Sequence, residues 1–199
     1  PAPMQNSSRP DHRQRCDWCG DDPLYCAYHD TEWGEPQHDD RRLFEFLILE
    51  GFQAGLSWLT ILRKREHFRS AFSDWDWNAV AGYGAKERAA LLADAGIVRN
   101  RRKIDAAIAN ARLFGEVRAD YGSFDAYVWG FTGNRTLRCE PRVSSFAELP
   151  THSAESDALS ANLRARGFSF VGTTICYAFM QAVGMVDDHQ EQCFKARKR

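Results

Sequence analysis

Apolar residues in this sequence recur at helical spacing over most of its length, whereas runs of β-branched residues with period two are nearly absent. Leu43, Phe46, Leu47 and the run from Glu50 to Ala54 form one stripe, and Ile104, Ala107, Ile108 and Ala111 repeat at i, i+3, i+4 and i+7. Further helices are predicted over residues 58–72, 77–83, 86–93, 124–129, 154–166 and 173–183. Gly96, Gly115, Gly130, Gly167 and Gly184 stand where helices should stop. The expected fold class is all-α. Residues 133–150, with two prolines and mixed character, read as the longest irregular connection. Without an internal repeat or a sharp shift in composition, residues 15–195 are expected to form a single helical domain. A flexible arm at 1–14 and a basic tail at 196–199 would flank it.

With 44% hydrophobic and 13% aromatic residues among 199, the chain has ample apolar surface to offset the entropy of folding alone. No apolar run reaches the roughly 18 to 20 residues of a membrane span, and the polar start carries no secretory h-region. The expectation is an intracellular, cytoplasmic chain. Six cysteines could form three disulfides, but a core of this size needs no staples, so thiols kept for packing or metal are expected. The formal net charge of -1 gives no sign of a uniformly basic surface. It conceals local asymmetry, because Arg99, Arg101, Arg102 and Lys103 cluster together while acidic pairs such as Asp21–Asp22, Asp39–Asp40 and Asp187–Asp188 offset them. A near-neutral total is therefore no argument against nucleic acid.

Three groups of residues carry candidate chemistry. His189 and Cys193 are four apart, which on a helical turn points both side chains to one side. With Cys16 and His29 they would make a set of two thiolates and two imidazoles suited to tetrahedral zinc and would pin the chain ends together. Cys19 competes with Cys16 for that place, and the alternative is a solvated His189 with Cys193 a tail thiol. A redox role for Cys16 and Cys19 lacks the βαβ context it requires.

Glu50 closes a nearly continuous apolar run, where a charge costs free energy unless something pairs with it. Glu45 is explained as the exposed face of the same helix, but Glu50 before Gly51 reads as a carboxylate aimed into a pocket. Tyr25, Tyr28, Trp33 and Trp58 could sandwich a flat ligand there, and rings with a carboxylate suit a planar cation. Ordinary core aromatics, with Glu50 bonded to a hydroxyl, are the alternative.

Residues 86–104 read as helix, short turn containing Gly96, helix. Free N–H groups at the second helix's start, beside Arg99, Arg101, Arg102 and Lys103, suit a phosphate, although a capped turn with a solvated basic face would look the same.

Taken together, residues 16–34, 49–58, 92–104 and above all 166–184 resemble the DNA-3-methyladenine glycosylase I family, in family order and over residues 16–193. The resemblance implies a helix-hairpin-helix superfamily fold and a structural zinc. It further implies hydrolytic removal of 3-methyladenine from alkylated double-stranded DNA; separately, the chain is expected to be a monomer. By position, Cys16, His29, His189 and Cys193 match the family's zinc ligands, leaving Cys19 outside. Glu50, Tyr28 and Trp58 match its base-recognition residues, with Tyr25 and Trp33 lining the same pocket. Gly96 and the four basic residues fall on its DNA-binding hairpin. Leu56 could serve as a wedge for the vacated base stack, although a core leucine is the preferred reading. Phe52 stands where the family usually has glutamine, which implies a more apolar pocket rim. The family lacks the catalytic aspartate of its superfamily relatives, so Asp120 and Asp125 are assigned no role. The rival activities are a lyase using Lys103 as Schiff-base amine and a zinc-stabilised nucleic-acid-binding module without chemistry.

Overall fold

Polar side chains that accept from the first turn set where most of the helices start. The computed structural model describes residues 12–196, so most of the expected arm and basic tail lies outside the described residues. Within them, α1 (Pro23–Thr31) starts where the Asp22 carboxylate accepts from the Leu24 and Tyr25 N–H groups, with proline at the first position. Asp39 caps α2 (Asp40–Gln53) in the same way, and Ser57 caps α3 (Trp58–Ala71). The short α4 (Trp77–Ala81) and α5 (Ala85–Ala93) lead to α6 (Arg101–Tyr121), capped by Asn100, and to α7 (Phe124–Trp129), capped by Ser123. Ser153 opens α8 (Ala154–Ala165), and α9 (Thr173–Ala182) follows. The acidic pairs read as charge offsets are thus partly structural: Asp22 and Asp39 are caps, and Asp40 accepts from the Phe124 and Asp125 N–H groups, docking α7 onto α2.

α2 is the central element, buried from Leu43 through Phe52, which is why its sequence is apolar on nearly every side. α3, α6, α7 and α9 all pack against it, and α8 packs on α9. Phe44, Phe114 and Phe124 join α2, α6 and α7 through ring contacts of 5.1 and 4.1 Å. The buried apolar residues form one continuous cluster.

Three expectations need correction. Gly115 does not end a helix: it lies inside α6, where no neighbour contests it and the buried stripe continues through Phe114 and Val117. The described residues are not purely helical, because β1 (Leu137–Arg138) pairs in parallel with β2 (Val186–Asp187), tying the long irregular connection to the C-terminal segment. Glu45 does not face solvent. It is 1% exposed, and α3 covers it with Arg65, whose Nε donates at 2.7 Å.

Candidate active site

A cavity of about 440 Å³ opens beside the last turns of α2. Tyr25, Tyr28, Trp33, Glu50 and Trp58, named from sequence, all line it. α1 supplies Tyr25 and Tyr28 three residues apart, hence on one face, while the Ser57 cap starts α3 with Trp58 at the rim. The Tyr28 and Trp58 rings lie 5.5 Å apart, and Trp18 meets Tyr25 and Trp33 each at 4.9 Å. The indole N–H groups of Trp18 and Trp58 are buried without a partner.

Glu50 is 4% exposed, and no hydrogen bond or ion pair to another described residue engages its carboxyl. Burial pushes it up to about 8, so at neutral pH it is held largely as the neutral acid. Burial, and then Glu50 itself, raises the Tyr28 phenol well above its ordinary range. A cation entering this cavity would meet a carboxyl group with no competing partner, walled by rings.

Phe52 is not on the rim. Glu50 and Gln53 are one turn apart and share the pocket face, whereas Phe52 points into the core against Phe68 and Phe72 at 4.8 and 5.8 Å.

Two of the expected nucleic-acid residues, Leu56 and Lys103, lie at the end of α2. Gly55 has φ of 79°, and the tight turn it permits leaves Leu56 39% exposed, so Leu56 is not a core residue. Lys103, in the first turn of α6, is buried and its Nζ donates to the Phe52 and Ala54 carbonyls at 2.8 and 2.5 Å. This corrects its placement with the exposed basic cluster: the ammonium caps α2 and fastens the hairpin beneath the Leu56 loop. Arg99, Arg101 and Arg102 remain exposed around the turn. At Gly96 a Cβ would come within 2.6 Å of the His67 ring, which explains the small residue there.

The third group converges as expected, though by a different route. His189 and Cys193 lie on an irregular segment with a turn, not on a helix. Cys16 Sγ, His29 Nε2 and Cys193 Sγ lie within 4.8 Å of one another, all buried. The His189 ring stands edge-on to His29 at 5.4 Å, and its Nε2 is buried without a partner. Gly34 makes room for that ring, since a Cβ there would lie 2.6 Å from His189 Cε1. Each histidine has its Nδ1 on a carboxylate at 2.8 Å, Asp30 for His29 and Asp187 for His189, which turns Nε2 toward the cluster. Arg15 holds Asp30 and Arg142 holds Asp187. The hydrogen bond between the two thiols pulls Cys193 well below its ordinary range and pushes Cys16 well above, so the pair shares one proton, while burial lowers His189 toward the neutral imidazole. An orphaned nitrogen beside two thiols and a second imidazole is a donor set that fits a borderline-soft cation such as zinc. Cys19 is outside it, with its Sγ 3.7 Å from the Gly20 carbonyl.

A family model described as methyladenine glycosylase matches residues 18–196. The chain belongs to the methyladenine glycosylase family. It is 48% identical over 183 residues to the DNA-3-methyladenine glycosylase 1 of Escherichia coli, covering 90% of this chain and 95% of that protein. A crystal structure of 3-methyladenine DNA glycosylase I, also 48% identical, superposes with a TM-score of 0.87 over 91% of this chain and 98% of the other. A tyrosine-to-phenylalanine variant of 3-methyladenine DNA glycosylase I, solved in complex with 3-methyladenine, is 32% identical, with a TM-score of 0.87 over 93% and 98% of the two chains.

Trp18, Gln53, Phe146, Ala178 and Gln181 also line the cavity and were not named from sequence. Trp18 lies inside the Cys16 to Cys19 stretch, and Gln53 is one turn from Glu50, so both were within reach of the motifs. Phe146, Ala178 and Gln181 arrive from distant segments and carry no local signal. Asp120 pairs with Arg166 and Asp125 with His38, and neither lines the cavity.

Proposed function

We propose that this chain is a monofunctional DNA-3-methyladenine glycosylase, a hydrolase of N-glycosyl compounds acting in base-excision repair. It cleaves the N-glycosidic bond of 3-methyladenine in alkylated double-stranded DNA, releasing the free base and leaving an abasic site. The observation that carries this reading is Glu50, a buried carboxyl with no protein partner at the wall of an aromatic cavity.

Methylation at N3 leaves the purine with a formal positive charge and weakens its glycosidic bond before any enzyme binds. Recognition then does most of what is needed. The lesion leaves the stack and enters the cavity, where Trp58 stacks on it with Tyr28 beside the edge. The cation favours the ionised form of Glu50, whose proton passes to solvent, and the carboxylate accepts from the amino group of the base. Water adds to the sugar carbon as the bonding pair leaves with the purine, which departs neutral, and the added water gives up one proton to solvent. Neutral adenine gains less from the carboxylate and is a poor leaving group. The Lys103 lyase is disfavoured, because that ammonium is committed to two carbonyls.

The hairpin formed by α5 and α6 serves as a helix-hairpin-helix motif, holding the DNA backbone through Arg99, Arg101, Arg102 and the turn at Gly96. Leu56 fills the gap left by the extruded base. Cys16, His29, His189 and Cys193 hold one structural zinc, which would join the segments bearing Trp18 and Trp33 to the C-terminal strap. Residues 15–195 act as one domain, as a monomer in the cytoplasm. Incubation with methylated DNA and chromatography of the released base tests the function: 3-methyladenine is expected, and no released base overturns the reading.

A further inference from the structure

Phe146 is 53% exposed and stands outside the apolar core cluster, although it is a large ring. It lines the Glu50 cavity and also a second hollow of about 490 Å³ that shares Gln53, Ala178 and Gln181 with the first. Phe146 is thus one of four residues common to the two hollows, which adjoin there. Its backbone is held firmly for a residue in a long connection. The Phe146 N–H donates to Asp17 Oδ2 at 3.1 Å, and Asp17 is doubly bonded to Gln190, each bond 2.7 Å. Nearby, the Glu191 N–H donates to the Val143 carbonyl and Gln192 Nε2 to that of Ser144. Both anchors flank candidate metal ligands: Asp17 follows Cys16, and residues 190–192 lie between His189 and Cys193.

We propose that Phe146 is a base-binding residue, the closing aromatic wall that covers an extruded purine, and that Asp17 is a positioning residue holding it there from the Cys/His cluster. An exposed ring carried on a backbone held in advance at the edge of an aromatic pocket has apolar surface to bury and a face to stack when a planar base enters. With the ring removed, the pocket would run on into the second hollow and the base would be covered on one side less. The proposal rests on the glycosylase reading and names the recognition surface that reading leaves open.

The test uses Phe146→Ala, Phe146→Leu, Asp17→Ala and the Asp17/Phe146 double variant, with titration of free 3-methyladenine and steady-state excision from methylated DNA. Phe146→Ala is expected to weaken base affinity about tenfold and to raise KM with kcat within about threefold, at unchanged melting temperature, with the leucine variant in between. Asp17→Ala is expected to weaken affinity less, and the double variant to match Phe146→Ala alone, because positioning matters only while the ring is present. Base affinity of Phe146→Ala within twofold of wild type would overturn the proposal, and additive losses in the double variant would overturn the role of Asp17. If the wild-type protein releases base and the variants match it, only this proposal fails. A wild-type protein that neither binds 3-methyladenine nor releases it contradicts the glycosylase reading as well.

Discussion

Glu45 and Glu50 sit on the same helix at 1% and 4% exposure, yet their surroundings are opposite. Glu45 accepts from Arg65 Nε at 2.7 Å and from Arg42 at 2.5 Å, and Glu32 takes the remaining Arg65 donors at 2.9 Å. Glu50, five residues on, faces rings and an open cavity with no cation beside it. Five residues turn a helix by about 500°, so the two side chains leave α2 on different sides. Burial alone therefore does not mark a functional carboxylate. The paired one completes the structure, whereas the unpaired one keeps its binding capacity for something that is not part of the chain.

Breaking that contrast at Glu45 should have the largest effect on stability. Glu45→Ala leaves the buried Arg65 Nε without its acceptor, with Glu32 still on the other two nitrogens, and is expected to cost about 2–3 kcal/mol, read by denaturant melts, with excision per folded molecule retained. His189→Ala is expected to lower the melting temperature and reduce zinc from about one per chain toward none, measured by elemental analysis. Unchanged metal content would remove His189 from the ligand set.

The reverse sign is expected at Glu50. Its carboxyl binds a proton more tightly in the folded chain than in the unfolded one, so the wild type loses stability as pH rises from about 4.5 to about 8. Glu50→Gln escapes that loss. Its unfolding free energy, read by denaturant melts, should match wild type at the acid end and exceed it above pH 8, by up to a few kcal/mol. The smallest effect belongs to the exposed hairpin. Arg101→Ala should weaken binding to undamaged DNA only a few-fold and reduce the salt slope by about 1, without changing which base is released.

The helices were legible because their apolar periods are long and their caps stand in the sequence, as at Asp22, Ser57 and Asn100. Gly115 misled because glycine's helix-ending tendency is weaker than a stripe that continues on both sides of it. Glu45 and Glu50 could not be told apart by composition: the difference lies in Arg65, which reaches Glu45 only once α3 folds back over α2. Lys103 looked like its basic neighbours, and only the helix phase turns it inward to the end of α2. Phe52 was misplaced for the same reason, one residue short of the pocket face. For Phe146, whose place depends on bonds from Asp17 and the C-terminal strap, no local pattern exists to be read.

The central claim is that the unpaired carboxyl of Glu50 recognises the cationic base. It is tested most directly by Glu50→Gln, measuring 3-methyladenine release from methylated DNA alongside binding to undamaged DNA. The account predicts release slowed about a hundredfold or more with undamaged-DNA binding retained. Release and binding both equal to wild type would contradict it.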